Sequence, residues 1–484
     1  MSVRSVVAAA LLCASCSGDD DGPTDASTPV VSDADADIDT DTDTDADTDT
    51  DADSDTDTDL PTGHTGDTAS TGATVDCALD ADNSLRATCT VELLSPAPLE
   101  LTLSAPDAPT RTFTVDTAAE RHAVRVWGLR PDTTYDVDAG GASGQLVTGS
   151  LPLNLGAATI EATGHTDAFD AVLRPLACNG ETHMLLVDVD GEVVWYEPTS
   201  LYQTGMHGYE YSEETQSVMV ANAGTFVETA FTGEELLTLQ RNVDFTGDLH
   251  HDMTRWQGLT YLLFQYLDSG SKVDGVHVFD GTTLLGSFRL GEHYQVESGP
   301  PGPLSNDWSH GNGLNATDDG LLVLSLLKFS MAMAIDGDPA SPTFLDIVWT
   351  VAGNAPDALP GPDYVPADGP EEGFRAQHNA SWFDDDLWLF DNVGDTDRSR
   401  AARYELVDGE VSLVEHWWFD ARCDIQGGAV PLDGGGVLAT CPIANDIRAF
   451  EPGATDASWS LEASCGLIPQ VSLNRAIPVW FDPR

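Results

Sequence analysis

Positive charge is what this sequence has least of: Lys+Arg 20 stand against Asp+Glu 81, a formal net charge of -61 over 484 residues. A chain so poor in cations lacks the basic surface that binds phosphate backbones, so no nucleic acid partner is expected. No apolar run is long enough to cross a bilayer. Apart from Cys13 and Cys16 in the first residues, neither a Cys-x-x-Cys nor a His-x-x-x-His spacing occurs, so no metal site and no cofactor are expected.

Much of the acid sits in one tract, "SDADADIDTDTDTDADTDTDADSDTDTD" at 32–59. It has no aromatic residue and no apolar period, so it buries too little surface to offset its ordering entropy, and its charges repel. Its Asp-x-Asp spacing invites a calcium reading, but no glycine-turned loop with a distal glutamate follows. Residues 16–74 are read as a disordered acidic tether. Ahead of it, "MSVRSVVAAALLCASCSGDDD" carries Arg4, then an apolar stretch from Val6 to Leu12, then small residues before Cys16. Residues 1–15 read as an export signal. They resemble a bacterial lipoprotein signal, with Cys16 as the acylated first residue of the mature chain. The expected location is the outer membrane, reached through the lipid alone and facing either side. Six further cysteines remain: Cys77, Cys89, Cys178, Cys423, Cys441 and Cys465. An even number in an exported chain suggests disulfides, with Cys77 and Cys89 placed to join neighbouring strands.

Residues 75–152 alternate apolar and polar side chains in short runs such as "TRTFTVDT" and "HAVRVWGL". Period-two runs between Pro, Asp and Gly turns predict a small β-sandwich, and "VWGLRPDTTYDV" resembles a turn of fibronectin type III domains. From 160 to 484 a strand–turn–strand unit recurs six times, at 184–197, 225–240, 275–288, 332–349, 402–417 and 447–462. Five of the six follow an inner segment that ends in another apolar run. The first does not, and the terminal "NRAIPVWF" (474–481) is a free strand that could complete it. Strand-only repeats of this size mean radial repetition. The predicted fold is all-β, a six-bladed β-propeller preceded by the sandwich.

Three inner segments carry chemistry. His251 precedes "YLLF" by ten residues, His378 precedes "WLFD" by ten, and Asn312 precedes "LVLS" by ten, with His310 two residues ahead of it. Equivalent positions of different blades converge around a propeller's axis, so these side chains are expected to meet; His207 falls at a comparable phase. His64, His122, His165, His183, His277, His293 and His416 read instead as structural or surface histidines.

The motifs "HHDM", "DWSHGNGL" and "QHNASWFDDDLWLFDN" resemble the bacterial arylsulfate sulfotransferases, six-bladed propellers that do not use phosphoadenosine phosphosulfate. The resemblance spans most of 160–484 and implies an aryl sulfate donor and a small phenolic acceptor. Carried over by motif, His378 is the nucleophile that becomes a sulfohistidine. His310, Asn312 and His251 contact the sulfuryl or phenolic oxygens, and Lys328 and His250 bind substrate. Two departures stand out. Lys328 occupies the place of a family arginine and lacks its forked grip on an oxyanion. Where the family has a hydroxyl residue on a later blade, "DIQGGAV" offers only Gln426 and glycines. The competing reading is a non-catalytic propeller lipoprotein that binds a ligand or partner at the cell envelope. A quinone-dependent dehydrogenase fits poorly, because the tryptophan-docking repeat of those blades is missing. The oligomeric state cannot be read from the sequence.

Overall fold

A computed structural model of the chain describes residues 72–178, 181–198, 208–296, 306–354, 359–367, 373–393, 398–442, 445–465 and 475–481. The export signal, Cys16, the acidic tract and His207 lie outside these residues. Among the described residues no helix is long and apolar enough to cross a membrane.

The first strands are Thr74–Leu79, Ala87–Ala105, Ala108–Val126, Thr134–Ala139 and Ala142–Val147. They form one five-stranded hydrogen-bonded sheet rather than two separate ones. The reason is the length of Ala87–Ala105. Its register shifts between Glu92 and Leu99, so one end pairs with Thr74–Leu79 and the other with Thr134–Ala139. Such irregularities bend a strand, and the sheet wraps over its own core of Leu101, Val126 and Tyr135. The "GLRPDTTY" turn is held by Tyr135, whose buried hydroxyl accepts the Arg130 N–H at 2.9 Å. Cys77 and Cys89 stand directly opposite each other and are bonded, as their spacing suggested.

Six sheets follow among the described residues, numbered here in chain order and antiparallel except for one short parallel pairing at the edge of sheet 5. Sheet 2 runs from Gly208–Ser212 to Glu235–Gln240, sheet 3 from Asp248–Trp256 to Thr283–Arg289, and sheet 4 from Gly311–Ala316 to Ile347–Ala352. Sheet 5 runs from His378–Phe383 to Glu410–Trp418, with Val365–Pro366 on its outer edge; sheet 6 runs from Gly428–Pro431 to Trp459–Ser464. Sheet 1 contains Ala171–Cys178, Glu181–Asp188 and Val193–Pro198, and the late strand Ile477–Val479 completes it from the inside. The free terminal strand therefore goes where the repeat count sends it. A second fastener was not foreseen: Thr159–Gly164 adds a fifth strand outside sheet 6. Sequence gave no cue for that pairing, since the partner lies some three hundred residues away and the strand is short and polar.

The hairpin turns explain themselves. In "VDGE" both Asp408 (φ 54°) and Gly409 (φ 86°) are left-handed, the geometry of a tight type I′ hairpin. Between the sheets, the core divides into one apolar cluster per interface. Leu322 and Leu324 of sheet 4 pack on Tyr261 and Leu263 of sheet 3, while Val323 between them packs on Leu387 and Leu389 of sheet 5. The ring closes through Ile447 and Trp459 of sheet 6 against Val172 and Leu185 of sheet 1. Successive strand residues point to opposite faces, so central strands apolar on both faces belong to sheets covered on both sides. The Cys178–Cys465 disulfide, with a sequence separation of 287, joins sheet 1 to the end of sheet 6.

A buried ion network sits where the closing segment meets the inner strands. Arg475, 2% exposed, grips Asp252 with both terminal nitrogens at 2.7 and 3.0 Å and also pairs with Glu210. Removing one partner of such a network leaves uncompensated buried charge. Arg475→Ala is expected to lower the unfolding free energy by about 3–5 kcal/mol, read from urea denaturation. A loss under about 1 kcal/mol would show that the network is not needed for closure.

Candidate functional site

The inner strands of sheets 3, 4 and 5 are neighbours, and each is bulged at its first residues. The register shifts between Leu249 and Met253, between Gly311 and Gly313, and between His378 and Ser381. Left-handed backbone accompanies each bulge, at His251 (φ 51°), His310 (φ 51°) and Asn379 (φ 51°). Each such residue costs on the order of 1–3 kcal/mol, and this kind of kink re-aims a side chain next to a site. The ten-residue spacing in the sequence thus marks three bulges at one mouth of the ring. Glycine is required where the strands close in. A Cβ on Gly313 would stand 2.8 Å from the Asn379 Cα, and one on Gly208 would stand 2.2 Å from the His251 carbonyl oxygen.

Three imidazoles meet at this mouth. Nε2 of His251 lies 3.2 Å from Nε2 of His310, and the His250 ring centre is 4.0 Å from that of His251 and 5.2 Å from that of His310. His310 donates its Nδ1–H to the Asp307 carboxylate, which leaves Nε2 facing His251. Burial works against the charge on Asp307. The His310 hydrogen bond and the nearby charges of His310, His250 and Lys328 outweigh it and hold the carboxyl below its ordinary range. Lys328 is half-buried on the short turn Leu327–Phe329, and its backbone N–H donates to Ser309. His250 places Nδ1 3.4 Å from Oδ1 of the fully buried Asp274.

His378 stands apart from that trio and within reach of the charge on His310. Its Nδ1 is 2.9 Å from Oδ1 of Asn392, whose own amide nitrogen donates to the carbonyls of Cys423 (2.6 Å) and Gln426 (2.7 Å). That second pair of bonds fixes which end of the amide faces the ring. His378 must therefore carry its proton on Nδ1, and Nε2 holds a lone pair. Burial pulls its pKa down to about 4, opposed only in part by the bonds to Asn392 and the Ala376 backbone and assisted by His310. The ring is neutral at neutral pH. Asn312 joins the site through its amide, which donates to the Gln377 carbonyl at 2.8 Å and leaves Oδ1 buried without a partner. The side-chain amide of Asn379, also buried, has neither atom hydrogen-bonded.

The structure thus gathers His250, His251, His310 and Lys328 around Asp307, and ties Asn312 to the strand of His378. Sequence reasoning missed Asp307, Asn392 and Asn379. Asp307 was within reach in "DWSH", three residues ahead of the histidine. Asn392 closes the second strand of sheet 5, and nothing local marks it. The set-aside histidines that are described behave as expected at His277, which is buried between the Thr246 carbonyl (2.9 Å) and the Ser287 hydroxyl (2.7 Å) and stacked on Phe264. Its pKa also falls to about 4 through burial.

These two depressed histidines give a pH expectation. Unfolded, each takes up a proton near its ordinary value of about 6.5; folded, only near about 4. At these two sites the unfolded chain binds more protons between those values, so their contribution to stability falls as pH drops from about 6.5 toward about 4 and is constant above it. His277→Gln, which cannot titrate, should flatten part of that decline in urea midpoints. An identical decline in both proteins would show that His277 is protonated in the fold.

Comparison with known proteins adds a family. The family model described as Arylsulfotransferase (ASST) matches residues 159–421. None of the curated proteins matches the chain. Among solved structures, a streptogramin B lyase is 11% identical over 64% of this chain and 88% of its own, with TM-score 0.36. Virginiamycin B lyase from Staphylococcus aureus is 13% identical over 64% and 100%, with TM-score 0.33. TolB from Acinetobacter baumannii is 10% identical over 69% and 77%, with TM-score 0.34. The ring is defined by its own sheet pairing and by the apolar clusters between sheets.

Proposed function

Because the chain belongs to the arylsulfotransferase family, whose model covers 159–421, we propose that it moves a sulfuryl group from an aryl sulfate ester to a phenolic acceptor through a sulfohistidine at His378. One observation carries this reading: His378 is neutral, with its Nδ1 proton held by an amide that cannot turn over, so Nε2 presents a lone pair. A neutral imidazole is a competent nucleophile.

In the first half-reaction Nε2 forms an N–S bond while the S–O bond to the aryl oxygen breaks, and the electron pair leaves on that oxygen. The departing phenolate takes a proton from the His251–His310 pair, which enters the step carrying one proton on the facing Nε2 atoms. Asp307 holds the far side of His310 and stabilises whatever positive charge the ring carries. In the second half-reaction the acceptor phenol returns a proton to the same pair as its oxygen attacks sulfur. The N–S bond breaks and the His378 lone pair is restored. Lys328 and His250 offer positive charge and a donor to the sulfuryl oxygens. Asn312 has an unused N–H and an unpartnered Oδ1 for the phenolic group. Fixed donors where charge develops supply the main acceleration in such a step.

The test is mass spectrometry of protein quenched during turnover of 4-nitrophenyl sulfate with a phenol acceptor. The sulfuryl adduct should sit on His378, and His378→Ala should lose both adduct and turnover. Asn392→Ala should keep the nucleophile but release its tautomer, slowing transfer by up to about 10⁴-fold. Turnover that persists without His378, or an adduct on another residue, sinks the mechanism.

The same reading places the chain at the cell envelope, anchored through Cys16. Three disulfides among the described residues support an oxidising compartment. Labelled fatty acid should enter the wild-type chain and not Cys16→Ala; incorporation that survives the substitution excludes Cys16 as the lipid site.

A further inference from the structure

We propose that His250, His251 and His310 form a three-imidazole site for a zinc-class divalent ion with one coordination position open to the channel mouth. The inference stands on geometry alone and does not need the sulfuryl-transfer reading. One ligand nitrogen from each of the three rings lies within 4.8 Å of the others. The 3.2 Å between Nε2 of His251 and Nε2 of His310 suits two ligands of one tetrahedral zinc. Bonds of about 2.0–2.1 Å place such a pair a little over 3 Å apart.

The surroundings resemble those of a metal centre. A metal-bound imidazole commonly gives its other nitrogen to a carboxylate, which fixes the tautomer and makes the ligand more basic. His310 does so with Asp307. His250 approaches the same arrangement with Asp274, itself held by the Ser309 hydroxyl at 2.5 Å and the Gly311 N–H at 2.7 Å. His250 Nδ1 and Asp274 Oδ1 nonetheless lack hydrogen-bond partners, although they are 3.4 Å apart, so a small rotation of the ring would complete the pair. Charge points the same way. Asp274 and Asp307 are both buried, and among the described residues neither has an ion pair with arginine or lysine. A dication held by the three rings would place further positive charge between the two carboxylates, beside that of Lys328 on Asp307. Imidazole ligands select zinc and its neighbours over magnesium or calcium, which prefer oxygen.

An ion there would use the same nitrogens that otherwise carry the proton of the His251–His310 pair. Acting as a Lewis acid, it would then stabilise the departing oxygen itself. Metal-bound and proton-bound mouths are alternative states of one site.

The test uses the untagged full chain, dialysed against zinc with excess magnesium present so that the acidic tract is saturated by an oxygen-seeking ion. Elemental analysis should find about one zinc per chain. Cobalt in its place should give the intense visible bands of a four-coordinate ion. His251→Ala and His310→Ala should abolish both signals, and Asp307→Asn should weaken binding by about 10–100-fold with the far-ultraviolet spectrum unchanged. His378→Ala should bind the metal like wild type, which separates this outcome from the fate of the transfer mechanism. Zinc retained in the His251/His310 double variant, displaced by magnesium, or giving only the pale cobalt spectrum of a six-coordinate ion overturns the proposal.

Discussion

Sheets of the ring pack apolar side chains on both faces, and that leaves little room along the central strands on which to build an open site. Leu322 and Leu324 are committed to sheet 3, and Val323 between them is committed to sheet 5. Polar chemistry is pushed to the strand ends, where the backbone must bend to bring side chains over the axis. The three bulges with left-handed His251, His310 and Asn379 are that bend. Strain of this kind persists only where the surroundings over-determine it. Here they do: Gly313 lets sheets 4 and 5 approach, and the Asn312 amide clamps the Gln377 carbonyl beside the nucleophile candidate.

The same mouth separates histidines by their partners. His378 faces an amide, and its burial favours the neutral ring; His310 faces a carboxylate that stays ionised. Two histidines of one mouth thus stand in different electrostatic surroundings, one beside a neutral amide and the other beside a carboxylate. Composition hides this arrangement. The chain's net charge of -61 would suggest a site that repels anions, yet the mouth contains imidazoles and Lys328, and its two carboxylates are turned inward against histidine. The position of charges, more than their sum, decides what the mouth accepts.

How much of this was legible follows from which interactions are local. Hairpins were visible because turn residues such as Asp408-Gly409 and the flanking strands are contiguous. The spacing of His251, Asn312 and His378 was visible because all three inner strands carry bulges of similar size ahead of an apolar second strand. Asp307 was legible in principle, three residues from His310. Asn392 was not: its importance comes from the Cys423 and Gln426 carbonyls, which arrive from a segment thirty residues further on. Likewise, the outer strand Thr159–Gly164 acquires a partner only once the whole ring has formed. The N-terminal sheet is continuous because the 19-residue strand Ala87–Ala105 turns a corner, a feature that alternation alone does not record.

Ring closure and the site share residues. Asp252 follows His251 directly, and its carboxylate is held by Arg475, two residues ahead of the closing strand Ile477–Val479. Asp252 also accepts the Leu314 N–H at 2.7 Å, so one side chain links the closing segment to the inner strands of sheets 3 and 4. Until the terminal strand docks, Asp252 lacks its cation and the His251 bulge lacks its anchor. The Cys178–Cys465 bond favours that docking from the outset, because a cross-link over 287 residues removes chain entropy from the open form, on the order of 5 kcal/mol in the simplest treatment.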